Sequence, residues 1–302
     1  MVERLRAALS VVGALLTGTG VLILLFVAYQ LWGTGIYAAQ AQDDLRDDFA
    51  EQLAELKTTT TTSSPTPVTF PVALPPPLPG DAVAQIKVPK IDLDWMVGEG
   101  VTASHLRDGP GHYPSTPLPG EIGNAGIAGH RTTYGAPFNR LDELNPGDEI
   151  LIRTLRGDFS YRMTSRQIVE PNQVEVLNPT AEPTLTLTTC HPKYSAAKRL
   201  IVTAALVPGA TEPAPPPPPP PPGSSEAEAK PPTSLADAGL SSERSRATTV
   251  LWGVLTALVG ATWWYGTRRW RRWPSYLAPA LPFLGVLFMF YANLERLLPS
   301  NF

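Results

Sequence analysis

Three patterns of apolar and polar residues run along the chain. The first is an uncharged run from Ala7 to Ala41, whose core, Leu9 to Trp32, contains Val21-Leu-Ile-Leu-Leu-Phe-Val27. At about 24 residues this core is long enough to span a bilayer. Arg4 and Arg6 precede it, and Tyr29 and Trp32 suit the far interface. Positive charge before the span puts the N-terminus inside and the following residues outside. Ala39-Gln40-Ala41 resembles a signal-peptide cleavage site. The apolar run is too long for a signal peptide and lies too far from that site, so it predicts an uncleaved anchor. Near the other end, Ala247 to Thr267 and Ser275 to Leu294 are also uncharged and long enough to span. Arg268, Arg269, Arg271 and Arg272 lie between them and fix that loop on the cytoplasmic side. Pro279 and Pro282 make the last segment either a kinked span or an interfacial one.

The second pattern is a series of short strands in the middle of the chain. Ala84 to Val88 and Asp94 to Val97 are brief apolar runs, the first ended by Pro89. Leu106 to Pro119 reads as a loop rich in Gly and Pro. Asn124 to Gly129 is a strand of small residues, where backbones can approach closely. Phe138 to Leu144 predicts one helical turn, and Asn145-Pro-Gly-Asp148 a tight turn. Glu149 to Thr154 and Phe159 to Val169 pair around an Arg156-Gly-Asp158 turn. In Thr184-Leu-Thr-Leu-Thr-Thr-Cys190, Leu185 and Leu187 alternate with threonines, the period-2 signature of a half-buried strand. Arg199 to Leu206 is the last strand. Many short strands with turn signals and almost no helix predict an all-β barrel or sandwich.

The third pattern connects the other two. Residues 42–57 form a charged helix with Leu45, Phe49, Leu53 and Leu56 on one stripe. It reads as a solvated stalk, with a weak dimer seam as the alternative. Residues 58–80 are Thr/Pro-rich and predict an extended linker. A second linker starts at Pro208 and contains an unbroken run from Pro215 to Pro222. In polyproline II, its roughly 40 residues reach on the order of 100 Å. A spacer explains it more simply than a proline-motif ligand does.

Composition narrows the chemistry. The 302 residues include 34 prolines, which confine globular sequence to roughly the middle third. A net charge of −3 points to neither nucleic acid nor a strongly charged partner. The single cysteine excludes an intrachain disulfide. An unpaired thiol outside the cytosol is an oxidation hazard, so its presence fits a chemical use. One cysteine and four scattered histidines have no zinc spacing, so no metal and no cofactor are expected.

Cys190 falls where the strand pattern stops, and Pro192 forbids a continuing central strand. The thiol therefore sits at a strand tip with a sheet behind it, a good place for a nucleophile. His130 ends an earlier strand and Arg199 opens the last one. If the Cys190 and Arg199 strands are neighbours, the arginine can reach the thiol. A thiol is a poor nucleophile at neutral pH until a neighbour helps remove its proton. Histidine can do so and then protonate a leaving amine. Arginine stays charged and can hold substrate or an oxyanion. Such a set suits acyl transfer through a thioester. His191, beside the cysteine on an extended chain, points the other way and is the poorer partner. His105 and His112 lie in loop-like sequence with no matched role, and no carboxylate stands out as a third triad member.

Thr186-Leu-Thr-Thr-Cys190 followed by Arg199 resembles the active-site signature of the sortases, and Ala128-Gly129-His130-Arg131 their histidine motif. Gly109-Pro-Gly-His-Tyr-Pro114, Ala128-Gly-His-Arg-Thr-Thr-Tyr-Gly135 and Cys190-His-Pro-Lys-Tyr-Ser-Ala196 are most similar to class E sortases of actinobacteria, with class D next. The resemblance covers residues 82–207 and not the tails. The pair of C-terminal spans departs from the commoner single anchor.

The resemblance implies a closed eight-stranded β-barrel, flanked here by transmembrane helices and Pro-rich linkers. It implies a membrane-anchored cysteine transpeptidase whose barrel faces the cell wall. Such an enzyme cuts a C-terminal LAxTG-like sorting signal of secreted proteins between Thr and Gly. The acyl group then passes to an amine of a lipid II-type cell-wall precursor. Cys190 takes the role of nucleophile, His130 of general acid/base, and Arg199 of binder of substrate backbone and oxyanion. Tyr113, Thr189 and His191 are the substrate-binding candidates, with the His191 N–H a candidate oxyanion donor. The expected organisation is a stub and membrane helix (1–41), stalk and linker (42–81), catalytic domain (82–207), Pro-rich linker (208–246) and hydrophobic hairpin (247–302). No carboxylate cluster for calcium is evident. Three other readings remain: a non-catalytic tethered barrel, a cysteine endopeptidase with water as acceptor, and an L,D-transpeptidase, whose Ser-x-Gly-Cys context is absent.

Overall fold

Strands that alternate apolar and polar residues bury one face only by pairing edge to edge, and here they pair until no edge is left. The computed structural model describes residues 2–62, 75–208, 244–269 and 279–295. In chain order these form α1 (Val2–Ala28), a π-helical turn (Tyr29–Gly33), α2 (Thr34–Thr62), β1 (Ala82–Val88), β2 (Leu93–Glu99), α3 (Ala103–Asp108) and β3 (Gly111–His112). There follow β4 (Asn124–Ala128), β5 (Glu149–Thr154), β6 (Gly157–Val169), β7 (Thr184–His191), β8 (Lys198–Leu206), α4 (Arg244–Arg269) and α5 (Ala280–Glu295). The eight strands close into a barrel in the order β1-β2-β3-β4-β7-β8-β6-β5. Pairing is antiparallel except at β2–β3 and β4–β7, which are parallel. Inward residues such as Ile86, Val97, Ile127, Ile152, Leu185, Leu187 and Val202 fill the interior.

The small-residue strand β4 has a more specific use than backbone approach. A Cβ on Gly126 would lie 2.8 Å from Leu177 and 2.9 Å from Tyr113, and one on Gly129 would lie 2.7 Å from the Phe138 ring. The glycines make room for neighbouring side chains, not for another strand. The 106–119 segment is also more ordered than a loop. Thr102 caps α3 by accepting from the His105 N–H, and β3 is too short to show a period. The turn expected in 138–144 is a single 3₁₀ turn, Leu141–Glu143.

The helix expected as a solvated stalk is covered. Leu45 and Phe49 are buried with Ala82 and Met96, and Leu53 and Leu155 pack against them. Gln42 fixes this packing. Its amide donates to the carbonyls of Met96 (3.1 Å) and Asp108 (3.0 Å), and its oxygen accepts from the Met96 N–H (2.6 Å). The apolar stripe therefore belongs to the barrel's own packing. Helix α2 also runs on to Thr62, because each added residue of a nucleated helix gains a hydrogen bond. Of the expected linkers, residues 63–74 and 209–243 lie outside the described residues.

The chain divides into two compact units, one of residues 34–239, which holds the barrel, and one of residues 1–33 and 240–299. In the latter, the Tyr291 hydroxyl donates to the Leu22 carbonyl (2.6 Å) and that of Thr249 to the Asn293 carbonyl (2.9 Å). Phe26 meets Tyr291 edge to face at 5.1 Å. The helical stretches Leu16–Leu56 and Ala247–Gly266 are long and apolar enough to cross a membrane. Helix α5, with 16 residues, reaches only about 24 Å, short of a typical hydrocarbon core. Arg271 and Arg272 of the expected cytoplasmic loop lie outside the described residues.

Gln42→Ala leaves the buried Met96 N–H and carbonyl without their partner, at a cost of about 2 kcal/mol. Hydrogen exchange is expected to show faster exchange along α2 with β7 unchanged. Unaltered α2 protection would contradict the docking.

Candidate active site

The site grows from the position of β7 between β4 and β8. Side chains alternate along a strand, so Leu185 and Leu187 point into the core while Thr186, Thr188 and Cys190 share the outer face. A half-buried strand leaves that face open. Here Thr186 and Thr188 are instead 1 % and 2 % exposed, and each is hydrogen-bonded. The Thr186 hydroxyl donates to Asn124 Oδ1 (2.7 Å), and Thr188 shares a 3.2 Å hydrogen bond with the Tyr113 hydroxyl. The face opens at Cys190, which is half-buried and unpaired.

The register sets the neighbours of the thiol. Cys190 lies directly opposite Arg199 in the antiparallel β7–β8 pair, so both side chains emerge on one face. The Leu206 N–H bonds to the Pro183 carbonyl, which makes every second pair from there hydrogen-bonded. Cys190–Arg199 is then a non-hydrogen-bonded pair, whose Cα atoms sit about 4.5 Å apart. On the other side, Ala128 is level with Thr188 in the parallel β4–β7 pair. The Gly129 N–H donates to the Thr188 carbonyl (3.1 Å), and the Thr189 hydroxyl to the Gly129 carbonyl (2.7 Å). β4 ends at Ala128, and His130 follows two residues beyond it. At strand spacing, the Cys190 backbone lies roughly 5 Å from that of Arg199. His130 lies between Gly129, bonded to Thr188 and Thr189, and Arg131, bonded to the Cys190 carbonyl.

Each flanking group is held. Arg199 is 7 % exposed, and its Nη1 donates to the carbonyls of Ala196 (2.9 Å) in the β7–β8 loop and of Lys198 (3.0 Å) at the start of β8. His130 keeps some exposed surface, yet its ring is closely surrounded. Tyr134 lies against it with ring centroids 5.1 Å apart. Arg107 sits over the Tyr134 ring at 5.9 Å. Burial, with Arg107 adding to it, lowers the His130 pKa to about 4. The imidazole is therefore neutral at pH 7. Helix α2 supports this cover: Thr34 Oγ1 accepts from the Tyr134 N–H (3.0 Å), and Tyr37 meets Tyr134 edge to face at 6.5 Å.

The remaining sequence candidates are placed as follows. Tyr113 is buried on the outer face in an apolar cluster with Ala128 and Leu177, against which Val101, Leu106 and Val176 pack. Burial raises its pKa, with the Thr188 hydrogen bond and Arg199 pulling the other way. Thr189 is buried, and its hydroxyl holds the strand end. The β7–β8 register engages the His191 N–H with Lys198, along the sheet and not above the thiol. His112 lies in β3, not in a loop, and bonds to buried Glu99 (2.8 Å) and to the Pro117 carbonyl (3.0 Å). The His105 N–H bonds to the cap of α3. Among the described residues no cluster of His, Cys, Asp or Glu could hold a metal ion.

Sequence reasoning does not mark Tyr134, Arg107 and Arg131 as parts of the site. Tyr134 and Arg131 lie within the quoted histidine motif, which is their only signal. Arg131 Nη1 donates to the Cys190 carbonyl (3.0 Å) and to His191 Nδ1 (3.1 Å), and Nη2 pairs with Asp142 (3.0 Å).

A folded-state His130 pKa of about 4 lies below the ordinary 6.5. As pH falls from 6.5 towards 4, the unfolded chain takes up this proton first and the native state loses stability, by at most on the order of 3 kcal/mol. The stability contribution is complete above about pH 6.5. Thermal melts of His130→Gln over this range are expected to fall less steeply with acid than wild type. Parallel slopes would contradict a buried, neutral imidazole.

A family model described as a sortase domain matches residues 86–207. Sortase SrtE1 of Streptomyces coelicolor is 34 % identical over 216 residues, covering 65 % of this chain and 56 % of that protein. This chain thus spans little more than half the length of that relative. Sortase SrtE2 of the same organism is 30 % identical over 217 residues, covering 66 % of this chain and 82 % of that protein. A solved Clostridium perfringens sortase D5 transpeptidase is 31 % identical, covering 56 % of this chain and 99 % of that one, with a TM-score of 0.46.

Proposed function

This chain belongs to the sortase family, and from that premise we propose that it is a membrane-anchored cysteine transpeptidase. What supports the reading is that Arg199 lies opposite Cys190 in the β7–β8 pair, and that His130 sits between Gly129 and Arg131, both bonded to the end of β7. In this reading Cys190 Sγ attacks the carbonyl of a threonine in a C-terminal sorting signal of LAxTG type. Neutral His130 accepts the thiol proton. Arg199 stabilises the oxyanion and holds the substrate backbone. The C–N bond to glycine breaks, His130 returns the proton to the leaving amine, and a thioester remains on Cys190. An amine of a lipid II-type wall precursor then attacks the thioester, releasing the thiol. The cluster of Tyr113, Ala128 and Leu177 is buried beneath the covered outer face, so the signal meets the strand where that face opens at Cys190.

The catalytic domain is residues 82–207, with α2 docked on it. Arg4 and Arg6 favour an N-terminus in the cytoplasm and a barrel outside. A second apolar helix, α4, makes the anchor multi-pass, and the shared membrane raises the effective concentration of substrates held there.

The test is to incubate the full chain in detergent with an LAxTG peptide and a glycine or diamine acceptor, alongside Cys190→Ala. An amine adduct formed only with the thiol present is the expected result. Equal turnover by the mutant would remove the thioester, and acid product without adduct would favour the endopeptidase reading.

A further inference from the structure

The β4–β7 ladder ends in an unusual way. The Gly129 N–H donates to the Thr188 carbonyl. Had β4 continued, the backbone N–H of residue 131 would come next, at the Cys190 carbonyl. The chain turns away instead, its His130 carbonyl accepting from the Phe138 N–H (3.0 Å). The place at the Cys190 carbonyl is taken by the Arg131 side chain, with Nη1 at 3.0 Å. A guanidinium thus supplies the rung the backbone no longer can.

This arginine is held on other sides too. It is 3 % exposed and anchored by Asp142 at 3.0 Å. A guanidinium only donates, so Arg131 is the donor in its 3.1 Å contact with His191 Nδ1. The Asn139 amide donates to the Arg131 carbonyl (2.8 Å) and ties its backbone to the same loop.

We propose that Arg131 is the positioning residue of the site: bonded covalently to His130 and by hydrogen bond to the Cys190 carbonyl, it fixes nucleophile and acid/base against each other. This rests on the transpeptidase reading. Arg131 touches no reacting atom, and it acts by holding at one distance two groups, one on β7 and one just past the end of β4. A displacement of about 1 Å in such an arrangement costs on the order of 100-fold in rate. Lysine keeps the charge but loses the fork that reaches Cys190, His191 and Asp142 together.

The experiment compares wild type, Arg131→Lys and Asp142→Asn, whose carboxylate is partly exposed and whose loss leaves the arginine in place. Amine-adduct kinetics, Cys190 alkylation by iodoacetamide and thermal melting are measured on each. Arg131→Lys is expected to lower kcat by about 10- to 100-fold with KM within about 2-fold. Asp142→Asn is expected to give a smaller loss of the same kind, and the double variant to be no worse than Arg131→Lys alone. Alkylation, which needs no substrate, is expected to slow at least about 5-fold in Arg131→Lys. Wild-type kcat or alkylation in folded Arg131→Lys would overturn the proposal, as would losses that merely track the melting temperature. Should Arg131→Lys not fold, an unchanged kcat and alkylation rate in Asp142→Asn would overturn it. Should wild type form no adduct, the transpeptidase reading fails, and alkylation alone decides for or against Arg131.

Discussion

The structure depends on β7 being shared between two different kinds of neighbour. It runs parallel to β4 and antiparallel to β8, so two distant stretches of chain end beside its tip. Register in a sheet is specified wherever one face is buried, because a slip of one residue turns every side chain over. Leu185 and Leu187 in the core therefore fix where Cys190 points. A slip would send the thiol inward and bring a leucine out. The packing of the barrel and the placement of the thiol are thus one constraint.

The outer face shows the same economy. Tyr113, Leu177 before β7 and Leu106 of α3 pack together over it, and its residues stay buried as far as Thr188, with the first opening at the cysteine. On the histidine side, the cover continues through Tyr134 and Arg107 and is backed by Thr34 and Tyr37 of α2. Burial keeps His130 neutral, so the site rests as an imidazole able to take a proton. Helix α2 follows directly on the N-terminal apolar run in sequence, and the same helix braces the histidine loop.

Much of this is legible in the residues. The period-2 run marks β7, the Arg156-Gly-Asp158 turn marks the β5–β6 pair, an apolar run marks β8, and Pro192 and Pro89 mark real ends. The Cys190 and Arg199 strands, expected as neighbours, are neighbours. Three features are hidden, each for a physical reason. The α2 stripe reads as a solvated stalk because an amphipathic helix does not declare what covers it. The small residues of β4 read as a site of backbone approach, when they accommodate the bulk of Tyr113, Leu177 and Phe138. Arg131 goes unmarked, because nothing in a sequence says that a ladder will lack a rung just there.

The claim on which the rest stands is the direct apposition of Cys190 and Arg199. Cross-strand cysteines at Cα separations of roughly 4.4–6.8 Å can form a disulfide. The most direct measurement replaces Arg199→Cys and, separately, Lys198→Cys, then follows intramolecular disulfide formation with Cys190 under mild oxidation by mass spectrometry. The account predicts rapid bridging in Arg199→Cys and little in Lys198→Cys, whose side chain leaves the opposite face. Bridging from position 198 and not from 199 would contradict the register, and with it the site.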